Sequence, residues 1–230
     1  EGVSRPYVFD VYVVVTGGVE VDVDEAPGAR ATLTIDDHAD APVRFSGMIA
    51  TIELLRAVSV NGKADQETCL YLVRIVPHLW QLSLTRHSRI WTKKTIPEVI
   101  KDVLDEEGVS DVSMRLNGSY EVEEHVCQYK ESSLNFIHRW MEREGLYYFF
   151  EQTDSGEKLV ITDDKSTSVP SRILPIPYQP GGDGDSSAGA HLDLFTARHS
   201  SLPATVRFMD YDYNKPMLDV TGSSSVSPIG

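Results

Sequence analysis

Apolar and polar positions alternate from the first strand-sized run. In RPYVFDVYVVV, Tyr7, Phe9, Val11, Val13 and Val15 fall on one side of an extended chain, and Val8, Asp10, Tyr12 and Val14 on the other. Turn chemistry and acid follow in GGVEVDVDEAPG, then two further strand-like runs, ARATLTID and PVRFSGMIATIELL. Asn61-Gly62 is a favourable turn dipeptide between β-like runs, and TCLYLVRIVP alternates again until Pro77 ends it. Residues 5–84 are therefore predicted to form a β-rich unit with short turns, a small barrel or sandwich.

The period changes at KKTIPEVIKDVLDEEGV. Ile96, Val99, Ile100, Val103 and Leu104 recur at helical spacing. Thr95 and Glu98 have capping-box spacing, Pro97 sits in the first turn where its missing N–H is harmless, and Gly108 suits the C′ position. A second helix is predicted inside CQYKESSLNFIHRWMEREGLYYFF. Ser132 or Ser133 can cap it, Leu134, Ile137, Trp140 and Met141 form its buried stripe, and Gly145 stops it. LYYFFEQ and EKLVITD then read as two strands joined by the turn Thr153-Asp154-Ser155-Gly156, so helix and hairpin form one compact unit. Residues 164–203 are rich in Pro, Gly and Ser and predict an irregular excursion, followed by a strand in TVRFMDYDY. GSSSVSPIG at the end reads as a linker or a disordered end.

Composition narrows the partners. The formal charge is −14, which argues against nucleic acid and against anionic membrane surfaces, because both recruit clustered Lys and Arg. No run approaches the length of a membrane-spanning helix. The first residues, EGVSRPYVFD, show neither an initiating Met nor a signal peptide, so the chain is read as a piece of something longer. Cys69 and Cys127 lie in apolar, strand-like contexts, where a thiol behaves as a small hydrophobe, and they do not form a disulfide scaffold.

Each candidate for chemistry meets a physical objection. Asp36-Asp37-His38 sets acid beside a possible ligand, but neighbours on a strand point to opposite faces. His125 stands two residues from Cys127 without the paired spacing of a zinc site. His138 sits at the edge of the second helix's buried stripe, where a structural role is expected. No GxSxG elbow occurs, and Cys127 has no electropositive setting to favour a thiolate. The pairs Glu123-Glu124, Asp163-Asp164 and Asp210 with Asp212 are expected by chance in so acidic a chain. Gly181-Gly182 with Gly184 lies among acids, a poor cradle for phosphate. The sequence therefore assigns no catalytic, cofactor-binding or metal-binding residue. Two other classes remain open. A glycan-binding module would use exposed aromatics such as Tyr211 and Tyr213, whose spacing equally suits one buried face. A hydrolase would depend on one of the acids or on Cys127.

Three stretches, in order, resemble the VgrG family, the spike proteins of bacterial type VI secretion, and the related hub proteins of contractile phage tails. Cys127 to Phe150 is similar to a pattern of Q-Y-x-E-S, a short helix with F-[IL]-x-R, then E-x-E-G-[IL]-x-Y-x-F. Phe45 to Ile49, F-S-G-M-I, is followed by Leu70 to Leu82, L-Y-L-V-R-I-V-P-H-L-W-Q-L. Val206 to Tyr213, leading to Pro216, is similar to a strand with D-Y-[DN], and Arg5 to Phe9 resembles S-x-P-Y-x-F. The resemblance runs from about residue 2 to 218.

It implies an α+β, mainly β fold of the phage tail-hub type: two related β-barrel-like tube domains with packed helices and an irregular insertion. The corresponding division is residues 1–85, a helical connector at 86–119, a second domain from 120–163 plus 203–218, an insertion at 164–202 and a linker at 219–230. It further implies a non-enzymatic hub without cofactors, present as a homotrimer in the complete spike. Its partners would be an Hcp-type inner-tube hexamer, baseplate proteins, and a tip protein and effectors carried by C-terminal parts outside this chain. Such a hub is assembled in the bacterial cytoplasm and then secreted or injected into a target cell, with no membrane insertion by this part. A phage or prophage tail hub is the near alternative.

Overall fold

The computed structural model describes residues 2–17, 21–35, 42–59, 67–167, 178, 192, 194–197, 201–213 and 215–226. It separates into two compact units, Glu1–Arg172 and Ile173–Gly230.

The first unit begins with β1 (Phe9–Thr16), β2 (Arg30–Ile35), β3 (Val43–Ser59) and β4 (Glu67–Val76), an antiparallel sheet in the order β1-β4-β3-β2. The register sets Val11 opposite Val73 and Val13 opposite Tyr71, so the alternation expected for β1 is realised. Phe9, Val11 and Val15 pack with Tyr71, Val73, Ile75, Ile49, Ile52 and Leu33 on one face. Val8, Tyr12 and Val14 are exposed on the other. The long strand β3 slips register against β4 at Ile49/Thr51 and Leu54/Arg56, where bulges bend it. These strands form an open sheet with β1 and β2 at its edges; among the described residues they do not close into a barrel.

Gly47 in the FSGMI stretch has a steric cause. A Cβ there would lie 2.4 Å from the Val76 carbonyl oxygen, so only glycine allows β3 to pass the end of β4.

A larger core follows. A 3₁₀ turn at His78–Ser83 leads to β5 (Arg86–Trp91), β6 (Lys94–Thr95) and α1 (Ile96–Glu106). Then come β7 (Val112–Arg115), β8 (Val122–Glu123), β9 (Val126–Ser132), α2 (Ser133–Glu144), β10 (Tyr147–Thr153) and β11 (Gly156–Thr162). The hairpin β10–β11 extends to a three-stranded sheet through parallel pairing of β11 with β7, and β5 and β9 form a separate antiparallel ribbon. The segment 86–119, expected as a helical connector, carries β5, β6 and β7 besides α1. At the start of α1 the Thr95 N–H and hydroxyl both donate to Glu98, at 2.8 and 2.9 Å, and Gly108 follows the helix at φ 76°. Ser132 caps α2 by accepting from the Asn135 N–H at 3.2 Å, and Gly145 ends it at φ 71°. The stripes Ile96, Val99, Ile100, Val103, Leu104 and Leu134, Ile137, Trp140, Met141 all enter one core with Phe136, Tyr148, Leu159 and Ile161. Each such side chain contributes about 1.5–3 kcal/mol when fully buried.

In the second unit, β12 (Thr205–Asp210) pairs with β13 (Val220–Ser225). The expected strand TVRFMDYDY stops at Asp210. Part of the expected linker is instead β13; its Thr-Gly-Ser run has little strand propensity of its own and gains its ladder from β12. Most of the expected insertion, and the Asn61-Gly62 turn, lie outside the described residues.

Candidate functional site

Acidic side chains form the polar centres of the first unit, each surrounded by donors. Glu157 on β11 is only 9 % exposed along its side chain. Its carboxylate accepts from the His78 backbone N–H and lies 2.9 Å from His78 Nδ1. The Tyr7 hydroxyl sits between this carboxylate and the Ser46 carbonyl, and the Ser46 N–H donates to Gln152 Oε1 at 2.9 Å. Four segments distant in sequence meet here: the chain before β1, the start of β3, the 3₁₀ turn and the β10–β11 hairpin.

A second centre is Glu107, at the C-terminal end of α1, whose side chain is 10 % exposed. It accepts from Ser133 Oγ at 2.8 Å and Thr85 Oγ1 at 3.0 Å, and faces His87 Nε2 at 3.2 Å and the Arg89 guanidinium at 3.5 Å. Arg89 also donates to the fully buried Gln128 at 2.8 Å. Burial pulls the Arg89 pKa down, and the Glu107 charge acts against that shift. Asp163, the third centre, accepts from the N–H groups of Asn117 and Gly118 at 3.0 and 2.7 Å and from the Tyr120 hydroxyl at 2.7 Å. These bonds, the Asn117 N–H first, hold its carboxyl below the usual range. Burial and the same carboxylate push the Tyr120 hydroxyl well above its ordinary value.

An open cleft of about 240 Å³ runs beside Glu157 and is bordered by Arg30, Thr32, Ser46, His78 and Asp154. Acyl transfer would require a nucleophile hydrogen-bonded to His78. Among the described residues His78 is bonded to Glu157, and no Ser, Thr or Cys side chain donates to it. Glu157 in turn is committed to Tyr7 and His78. The cleft therefore lies over a structural joint.

Among the described residues of the first unit, those singled out in the sequence do not gather. His138 Nε2 meets the Tyr148 hydroxyl at 2.9 Å with the two rings stacked, and burial lowers its pKa. Its place is the structural one expected. Glu123 pairs with Arg143 at 3.0 Å, Asp164 turns back onto Ser166, and Asp210 accepts from the Tyr211 N–H. His125, Tyr211 and Tyr213 are exposed, and Cys69 and Cys127 are free thiols, half-buried. Asp36, Asp37, His38, Gly181, Gly182 and Gly184 lie outside the described residues. Among the described residues no group of three His, Cys, Asp or Glu side chains is placed to hold a metal ion. Glu107 and Glu157, which organise the molecule, gave no signal in the sequence beyond an acid at the edge of an apolar run.

The arrangement favours packing, and comparison with known proteins agrees. The family model described as the phage tail baseplate hub (GPD) matches residues 1–229. This chain belongs to that family. Among curated relatives, it is 28% identical over 217 residues to the type VI secretion system spike protein VgrG1b of Pseudomonas aeruginosa, covering 94% of this chain and 28% of the relative. It is 33% identical over 189 residues to the actin cross-linking toxin VgrG1 of Vibrio cholerae, covering 81% of this chain and 16% of that protein. The hub chain thus spans less than a third of these relatives' length. Among solved structures, the E. coli c3393 protein aligns with a TM-score of 0.62 at 21% identity, over 71% of this chain and 44% of that one. That structure is described as a type VI secretion component similar to the T4 phage tail proteins gp27 and gp5, and the likeness establishes a common fold. The resemblance to VgrG spike proteins seen in the motifs is borne out over most of the chain.

Proposed function

We propose that this chain is the base of the cell-puncturing spike of a type VI secretion system, a non-enzymatic hub that joins a threefold spike to a hexameric inner tube. The observation that carries this reading is the end-to-end family match, residues 1–229, together with alignment of 94% of the chain to a VgrG spike protein. The carboxylate joints support it, since they spend their acids on holding distant segments together. In this reading residues 1–85 and 120–163 plus 203–218 are the two related barrel-like domains of the hub. Three copies form the ring, an Hcp-type hexamer and baseplate proteins contact it, and tip protein and effectors ride on parts beyond it. Assembly takes place in the cytoplasm and delivery follows sheath contraction.

Deletion of the gene in the bacterium that encodes it tests the proposal. Loss of the Hcp-type tube protein from the culture medium, restored by the intact gene, is the expected result. Unchanged release would overturn it. A second reading is a prophage tail hub, favoured by the description of the family itself. It predicts instead that deletion leaves secretion intact and abolishes infectious tailed particles.

A further inference from the structure

The β5–β9 ribbon mixes apolar and polar side chains on its inward face, with Trp91 and Val126 in the core beside Arg89 and Gln128. Alternation places His87, Arg89 and Trp91 on the inward face of β5, with Val126 and Gln128 opposite on β9. Of these, Arg89 is bonded to Gln128 and Ser133, and His87 faces Glu107, so much of the inward face is polar. The outward face carries Ile90 at 61% exposure and Tyr129 at 66%. At the rim, Arg86 and Lys130 are exposed, and neither meets a carboxylate among the described residues. The Lys130 ammonium lies 5.2 Å from the centre of the Tyr129 ring. Their neighbours differ: Arg89 is paired with Glu106 and Glu107, Lys94 with Asp102, and Arg139 with Glu131.

The backbone is strained at the same place. Register slips between His87 and Arg89, so that Tyr129 and Lys130 stand opposite Ser88, and Lys130 takes φ 51°. A left-handed conformation is strained in a residue other than glycine. The Lys130 N–H finds only the Ser88 hydroxyl, at 3.2 Å. At this bulge an exposed aromatic ring and an exposed cation stand side by side, Lys130 over Tyr129.

We infer that the outward face of this ribbon, centred on Ile90 and Tyr129 and rimmed by Arg86 and Lys130, docks onto an acidic surface of a second copy of this chain. This inference rests on the hub reading, which supplies the copies. The charge supplies the fit: the chain carries a net −14, while Arg86 and Lys130 on this face meet no carboxylate among the described residues. Geometry agrees. A threefold contact is head-to-tail and joins two unlike patches, so a basic, apolar-centred patch on an acidic protein suits one half of it. Contacts of this kind centre on an aromatic or aliphatic anchor within a charged rim.

Sedimentation equilibrium of the 230-residue chain up to about 0.5 mM, at 50 and 500 mM salt, tests the face, the salt range being chosen to span strong and weak screening. The expected result is association that weakens at least tenfold at the higher salt. Ile90→Asp, and separately the pair Arg86→Glu with Lys130→Glu, should each weaken it at least tenfold at low salt. All three positions are at the surface, and circular dichroism confirms that each variant is folded. Association that ignores these substitutions overturns the face while leaving the hub reading intact. A monomer under every condition also overturns it, and the gene-deletion phenotype then judges the hub reading separately.

Discussion

Gly47 shows how a single residue can carry a motif. The FSGMI stretch was visible in the sequence, but the reason for its glycine was not, because the atom it avoids belongs to Val76 on another strand. Gly47→Ala forces a Cβ to within 2.4 Å of a backbone oxygen, which cannot rotate away. A loss of about 2 kcal/mol or more is expected, at the overpacking end of core substitutions. A urea midpoint unchanged from the parent would show that β3 shifts without cost. His138 offers a pH test. Burial lowers its pKa below the ordinary 6.5, so the folded chain resists a proton that the unfolded chain accepts. Its contribution is therefore fully present above about pH 6.5 and is lost progressively as pH falls from there through the lower folded pKa. His138→Gln keeps a partner for the Tyr148 hydroxyl and removes the titration. Between pH 7.5 and 5.5 the parent should lose more stability than this variant, by urea unfolding at each pH; equal losses would place the acid sensitivity elsewhere.

At the scale of elements, legibility followed locality. Both helices could be read because stripe, cap and stop all fall within one short run: Thr95 with Glu98 before α1, Ser132 and Gly145 around α2. The alternation of β1 was legible for the same reason. The ribbon was not. Arg89 faces inward because Glu107 beyond α1 and Gln128 across the ribbon supply its partners, which breaks the apolar–polar alternation that marks a strand. The Glu157 joint was equally hidden, since Tyr7, Ser46 and His78 reach it from segments 79 to 150 residues away or through one another. Breaking this joint should loosen the sheet from the hairpin. Glu157→Ala removes the acceptor of the His78 N–H and leaves the Tyr7 hydroxyl to the Ser46 carbonyl, and should cost about 2–4 kcal/mol. Glu157→Gln, whose amide oxygen still accepts, should cost less. If both variants unfolded at the parent's urea midpoint, the joint would be ornamental to stability.

For the whole molecule, composition excluded partners more readily than it named one. An acidic chain with ordinary hydrophobic content is compatible with many assemblies, and only the ordered set of motifs pointed to a spike. The structure adds that three carboxylates, Glu107, Glu157 and Asp163, are bonded into joints between distant segments. It also leaves Tyr12, Val14, Ile90 and Tyr129 exposed on the first unit, and Phe208 and Met209 on the second. That is apolar surface an assembling protein covers with its neighbours. The most direct test of the hub is the solution mass of the complete gene product that carries this sequence, by light scattering behind a sizing column across a wide concentration range. Three times the mass of its chain is the predicted result, and a monomer at every concentration would contradict the threefold hub.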